Sequence, residues 1–125
     1  MHDLDPLVAF ALLTNSIHAI APVEQEPHAV LSRWRLFQVK DWSGTRQRHL
    51  VGCIDDGRVT SALVRIDLAS SSATTSSGRV YRLDGPTGFD ADADYVFAVW
   101  RRINSSTNVK DVSRALTKLL DQHAA

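Results

Sequence analysis

Three aspartates at alternate positions, Asp90, Asp92 and Asp94, form the densest group of chemistry-bearing residues in this chain. Carboxylates so spaced open a calcium loop, which also needs a glycine at its sixth position and a glutamate at its twelfth. Counted from Asp90, those positions hold Tyr95 and Arg101, so no metal site is expected. The same acids suit the start of a helix, where a carboxylate accepts from free N–H groups and meets the positive end of the macrodipole.

Nucleophiles and bases come next. Cys53, the one cysteine, follows His49 in an apolar run. On a strand the two share a face but stand roughly 13 Å apart, too far for a thiolate–imidazole pair. Cys53 therefore reads as a small buried hydrophobe. His49 beside Asp55 or Asp56 is the remaining general-base pair, and it defines one reading of the chain, a small hydrolase or transferase. His2, His18, His28 and His123 lie toward the ends of the chain, and no histidine pair has zinc-helix spacing. Gly85-Pro86-Thr87-Gly88 precedes a helical stretch but lacks the Gly-Lys-Ser/Thr ending of a phosphate loop, and acids follow it. There is no Gly-x-Ser-x-Gly elbow, and Glu24 and Glu26 are the only glutamates. No cofactor is expected, and the chain reads more readily as a binding protein than as an enzyme.

Charge supplies the remaining signal. Eleven of the fourteen basic residues are arginine, the side chain suited to bidentate and stacked contacts. From Arg33 to Leu83 the chain carries eight arginines and one lysine against four aspartates. The 32 residues before that stretch hold four acids and no Lys or Arg, so the formal net charge of zero conceals a basic segment beside an acidic arm. Arg33 and Arg35 fall on one strand face, and Arg46 and Arg48 flank the start of the next strand. Arg65, Arg79 and Arg82 extend the set, although Arg79 and Arg82 have opposite strand parity. Trp42, in a turn, completes the candidate binding residues as an exposed aromatic anchor.

The elements that must position these residues follow from pattern. A length of 125 residues and 44% apolar content fit one domain with its own core. Residues 5–20 read as a helix behind Asp5-Pro6, apolar around much of its circumference, and a homodimer through it is one expectation. Pro22 to Pro27 is a stiff acidic linker. Four strands then follow: Arg33 to Asp41, Gln47 to Ile54, Arg58 to Leu68 and Ala73 to Leu83. Ser43-Gly44 and Asp55-Asp56-Gly57 are turn signals. A helix from about Asp90 to Ile103, a break at Asn104–Asn108 and a last helix capped by Asn108 complete the chain.

The expected fold is α+β: a four-stranded antiparallel meander (32–84) with an N-terminal helix and acidic linker (1–31) and a helical C-terminal part (89–123), the helices on one face. The expected function is a small non-catalytic binding module acting by protein–protein contact, as an accessory, regulatory or inhibitory factor, one from a mobile element included. Nucleic-acid binding through the arginine-rich sheet is the alternative. The single cysteine and the acidic start, unlike a signal peptide, point to the cytoplasm, and no membrane span is expected.

Overall fold

The computed structural model describes residues 17–18 and 29–124. Its strands are β1 (Ile17–His18), β2 (Ala29–Lys40), β3 (Arg46–Cys53), β4 (Gly57–Val59), β5 (Leu63–Asp67), β6 (Ser72–Thr75), β7 (Val80–Asp84) and β8 (Thr107–Asp111). The helices are α1 (Ala91–Ile103) and α2 (Ser113–Ala124). Seven strands follow the order β1-β5-β6-β7-β2-β3-β4, and β8 pairs with β2. The class is α+β, but the sheet is mixed: β1 runs parallel to β5 and β2 parallel to β7. The expected four-stranded antiparallel meander is thus corrected.

Two of the expected long strands are broken. Arg58 to Leu68 divides into β4, at one end of that order, and β5, next to the strand at the other end. Thr60 causes the break. Its N–H donates to the Leu50 carbonyl at 2.9 Å, and its hydroxyl accepts from the Leu50 N–H at 3.1 Å. Two residues later the Ala62 carbonyl accepts from Ser76 N–H at 2.7 Å, beyond the other end of the sheet. Two residues span at most about 7 Å, so the sheet curls until its ends meet. The segment Ala73 to Leu83 likewise folds into the hairpin β6–β7, turning at Gly78, whose φ is +87°.

The principal core lies within this curl. Leu31, Trp34, Leu36, Leu50, Leu63, Ile66, Ala73 and Leu83 point inward, and Val112, just before α2, and Leu116 of α2 close the end. The alternate residues Phe37, Val39 and Val51 face outward and are covered by Ala93 and Phe97 of α1, with Phe37 and Phe97 stacked at 4.5 Å. Successive strand residues point to opposite faces, so α1 and α2 lie on opposite faces of β2–β3, not together as expected.

β2 changes neighbours along its length. Ala29–Ser32 pairs with β7, and Phe37–Lys40 pairs with β8 on the same edge. Between them Arg33 has a φ of +47° and the register against β3 shifts between Ser32 and Arg35. Gly52 faces this bulge, where a Cβ would lie 2.9 Å from both Leu31 Cγ and the Ser32 carbonyl oxygen. β8 takes the expected start of the last helix, so Val109 is strand and α2 begins at Ser113. The expected helix over 5–20, and a dimer through it, lie outside the described residues except for Ile17 and His18, which form β1.

α1 sits directly on the β3–β4 turn. A Cβ on Gly57 would lie 2.5 Å from the Ala93 nitrogen and 2.6 Å from the Asp92 carbonyl carbon, both backbone atoms that cannot swing aside. Gly57→Ala is therefore expected to cost about 2 kcal/mol or more, at the upper part of the range for overpacked sites. A urea titration followed by circular dichroism checks this, and an unchanged midpoint would mean that α1 does not dock there.

Candidate functional site

The three aspartates at the head of α1 have three separate tasks. Asp90 is the N-cap and accepts from the Ala93 N–H at 2.9 Å. Asp92 accepts from the Gly57 N–H at 2.6 Å, tying the helix to the turn beneath it. Asp94 pairs with Arg35 at 3.2 Å, while Asp90 also pairs with Arg33 at 3.3 Å. The expected capping role is thus present and is joined by three contacts to the sheet. No group of acids, histidines or cysteines among the described residues could hold a metal ion.

The arginines do not form one patch. Arg33 and Arg35 are engaged by the α1 acids. Arg65 pairs with the buried Asp67 at 3.5 Å, and that carboxylate also accepts from Ala69 and Ser70 N–H groups. Arg48 is buried and donates from Nε to Gln38 Oε1 at 3.2 Å. Burial, and then the like charge of Arg46, push its guanidinium pKa down. Arg79 lies over the Tyr81 ring at 5.9 Å, and Arg82 is exposed on β7. Arg46 and Trp42 stand at the β2–β3 hairpin, where Trp42 is 84% exposed. Exposed ion pairs contribute at most about 1 kcal/mol, so α1 is held mainly by its buried face.

The bend in β2 instead builds a groove of about 660 Å³, lined by Arg35, Thr87, Gly88, Phe89, Arg114 and Thr117 together with Asp111 and Ser113. Its floor is fixed by backbone. Gly88 N–H donates to the Trp34 carbonyl at 3.1 Å, and the Thr87 hydroxyl donates to the same oxygen. Trp34 Nε1 donates to the Gly85 carbonyl at 3.0 Å. On the far wall the Ser113 hydroxyl accepts from Leu36 N–H at 2.8 Å and donates to Asp111, whose carboxylate also accepts from Ser113 N–H. Asp111 is thereby committed.

The rest of the lining is cationic and polar, with Arg35 held by Asp94 through one of its nitrogens. The Arg35 guanidinium lies between the Phe37 and Phe89 rings, at 5.0 and 5.1 Å from their centroids. Arg35 Nε and Thr117 Oγ1 are buried without a hydrogen-bond partner. Arg114 is exposed and makes no ion pair among the described residues. Phe89 is 62% exposed.

Of the sequence candidates only Arg35 belongs to this groove. Phe89 carried a readable signal. An apolar residue just before a helix cap normally packs on the fourth helical residue, but here that residue is Asp94. Phe89 stacks on Arg35 instead. Arg114 and Thr117 carry no such signal, because only the β8–α2 junction brings them here.

His49 is placed away from the groove. Its ring is 3% exposed, lies 4.5 Å from the Trp100 ring, and bonds through Nδ1 to the Thr60 carbonyl at 2.8 Å. That bond makes Nδ1 the protonated nitrogen. Neither Asp55 nor Asp56 is its partner. Burial pushes the His49 pKa down, partly offset by the Thr60 bond. The folded state therefore favours the neutral ring. Above the ordinary imidazole value of about 6.5 both folded and unfolded chains are neutral there, and this contribution is fully present. As pH falls below it, the unfolded chain takes up a proton that the folded chain resists, and stability is lost. His49→Phe is expected to shrink the fall in urea midpoint between about pH 7.5 and pH 5.5. Equal falls in both proteins would show that His49 titrates alike in the folded and unfolded chains. Comparison with protein-family models, curated proteins and solved structures finds no match, so the site is read from its own geometry.

Proposed function

We propose that this chain is a small non-catalytic binding module that holds an acidic segment of a partner protein in the groove between the β2 bend, the 85–89 loop and α2. The observation that carries this reading is that two residues lining the same open groove, Arg35 and Thr117, each hold a buried polar atom, Nε and Oγ1, without a hydrogen-bond partner. Buried polar atoms without partners are rare and costly, typically about 1–3 kcal/mol each. A carboxylate accepts from both kinds of donor.

The surrounding chemistry has the same sign. Asp111 is satisfied internally and Asp94 is spent on Arg35, whereas Arg114 offers an exposed guanidinium, without an ion pair among the described residues, suited to bidentate carboxylate recognition. Phe89 adds an apolar rim for an aliphatic or aromatic neighbour of the acid. The one hydroxyl beside a carboxylate among the described groove residues, Ser113 against Asp111, also accepts from Leu36 N–H, so the groove is suited to holding a segment and not to transforming it. Ser113 is fully occupied in joining α2 to β2.

Selection of a random peptide library on the immobilised full chain tests this. Peptides carrying Asp or Glu beside an apolar residue should be enriched. Arg114→Glu should remove the enrichment, and Phe89→Ala should weaken binding about tenfold, the cost of a good anchor. Enrichment of no consensus, or of one indifferent to both substitutions, would overturn the proposal.

A further inference from the structure

A second cleft, of about 490 Å³, opens at the C-terminal end of α1 and is lined by Ala98, Arg101, Arg102, Ser105, Ser106 and Thr107. Two arginines and three hydroxyl-bearing residues line it, with no acid among the described residues. Arginines in the last turn of a helix ordinarily serve its free carbonyls. Here those carbonyls are already served: Trp100 O accepts from Asn104 N–H and Nδ2, and Arg101 O accepts from Ser106 N–H at 3.0 Å. Arg101 and Arg102 make no ion pair among the described residues. Arg101 Nε is buried without a partner, and its guanidinium is held over the Phe97 ring at 5.1 Å.

The positive charge continues beyond the cleft. Thr107 lies opposite Lys40 across β8–β2, and Lys40 lies opposite Arg46 across β2–β3. Two strand spacings carry this row roughly 10 Å. Trp42 stands in the turn between Lys40 and Arg46 and is 84% exposed. The nearest acid in the chain, Asp41, is turned into that loop. It accepts from Ser43 N–H, Ser43 Oγ–H and Thr45 N–H, and the Ser43 hydroxyl is the chief cause of its lowered pKa.

We propose that this end of the molecule binds single-stranded nucleic acid. Its phosphates lie in the Arg101–Arg102–Ser106 cleft and along Lys40 and Arg46, and one base stacks on Trp42. Several cations in a row with an exposed aromatic beside them match a phosphodiester strand better than an isolated phosphate, which needs only the cleft. The site is separate from the Arg35–Arg114 groove, so either can fail alone.

Fluorescence anisotropy of a labelled oligothymidylate of about a dozen nucleotides tests the proposal. The full chain should bind it at low salt, with affinity falling steeply as salt rises, by about 0.7 log units per log unit of salt for each phosphate contacted. Arg102→Glu and Arg46→Glu should each weaken binding about tenfold and flatten the salt slope by about one contact. Both side chains are exposed, so the fold should survive either change. Trp42→Ala should weaken binding while leaving the salt slope unchanged. Arg114→Glu should have no effect. Absence of binding at low salt would overturn the proposal. So would binding that both charge reversals leave intact, or competition by inorganic phosphate alone that matches the oligonucleotide in strength.

Discussion

The bend in β2 at Arg33 and Trp34 is the constraint from which the rest of the molecule follows. A straight strand of this length would keep one neighbour along its whole edge. Here the chain enters a left-handed conformation at Arg33, and β7 gives way to β8 across the bend. An L residue with a side chain in that region is uncommon and must be held there by its surroundings. The surroundings are identifiable. Gly52 leaves room on the β3 side, and Trp34 anchors the bend in the core through its ring and through Nε1. The Trp34 carbonyl, which no strand partner claims, is taken by Gly88 and Thr87. That one oxygen brings the 85–89 loop onto the sheet. The loop in turn delivers Asp90 as the cap of α1 and Phe89 as the rim of the groove.

The acids of α1 explain why an arginine-rich sheet does not present a broad basic face. Asp90 and Asp94 reach back over the bend to Arg33 and Arg35, whose side chains would otherwise have been its nearest free cations. Helix capping and charge neutralisation use the same residues, so the spacing of the three aspartates serves both. Arg65 is consumed locally by Asp67 and Arg48 is drawn into the interior. What stays available is defined by distance from α1's first turn. Arg114 lies on α2, and Arg46, Arg101 and Arg102 lie toward the hairpin and the far end of α1.

Local signals in the sequence were readable wherever the structure is decided locally. Asp55-Asp56-Gly57 joins β3 to β4 and Ser43-Gly44 turns β2 into β3. The Asp90 cap needed nothing beyond its neighbours in the chain. The failures are those of long-range choice. Ala62, Val64, Ile66 and Leu68 read as one buried face, but the register shifts between Leu63 and Arg65, so Leu63 is buried and Val64 exposed. Thr60 has no propensity that would mark a break, and it becomes one because its hydroxyl and backbone match the free edge of β3. Thr107 to Asp111 is polar and begins like a helix. It is a strand because β2 has an unpaired edge after the bend, and an unpaired buried edge costs more than a weak strand propensity.

Candidate sites were less legible than elements for the same reason. A site is a coincidence of side chains from distant segments, and the groove draws on β2, the 85–89 loop and the β8–α2 junction. Parity along β2 put Arg33 and Arg35 on one strand face, yet nothing in their neighbourhood predicted Thr117 or Arg114 beside Arg35. The discriminating property is position in the fold and not composition. Arg35 and Arg48 are alike in type and both lie on strands, but Arg48 is sunk in the fold beside Gln38, while Arg35 lines an open groove. In a chain whose arginines are this abundant, the fold separates them by position: Arg35 and Arg114 line an open groove, whereas Arg48 is buried in the structure.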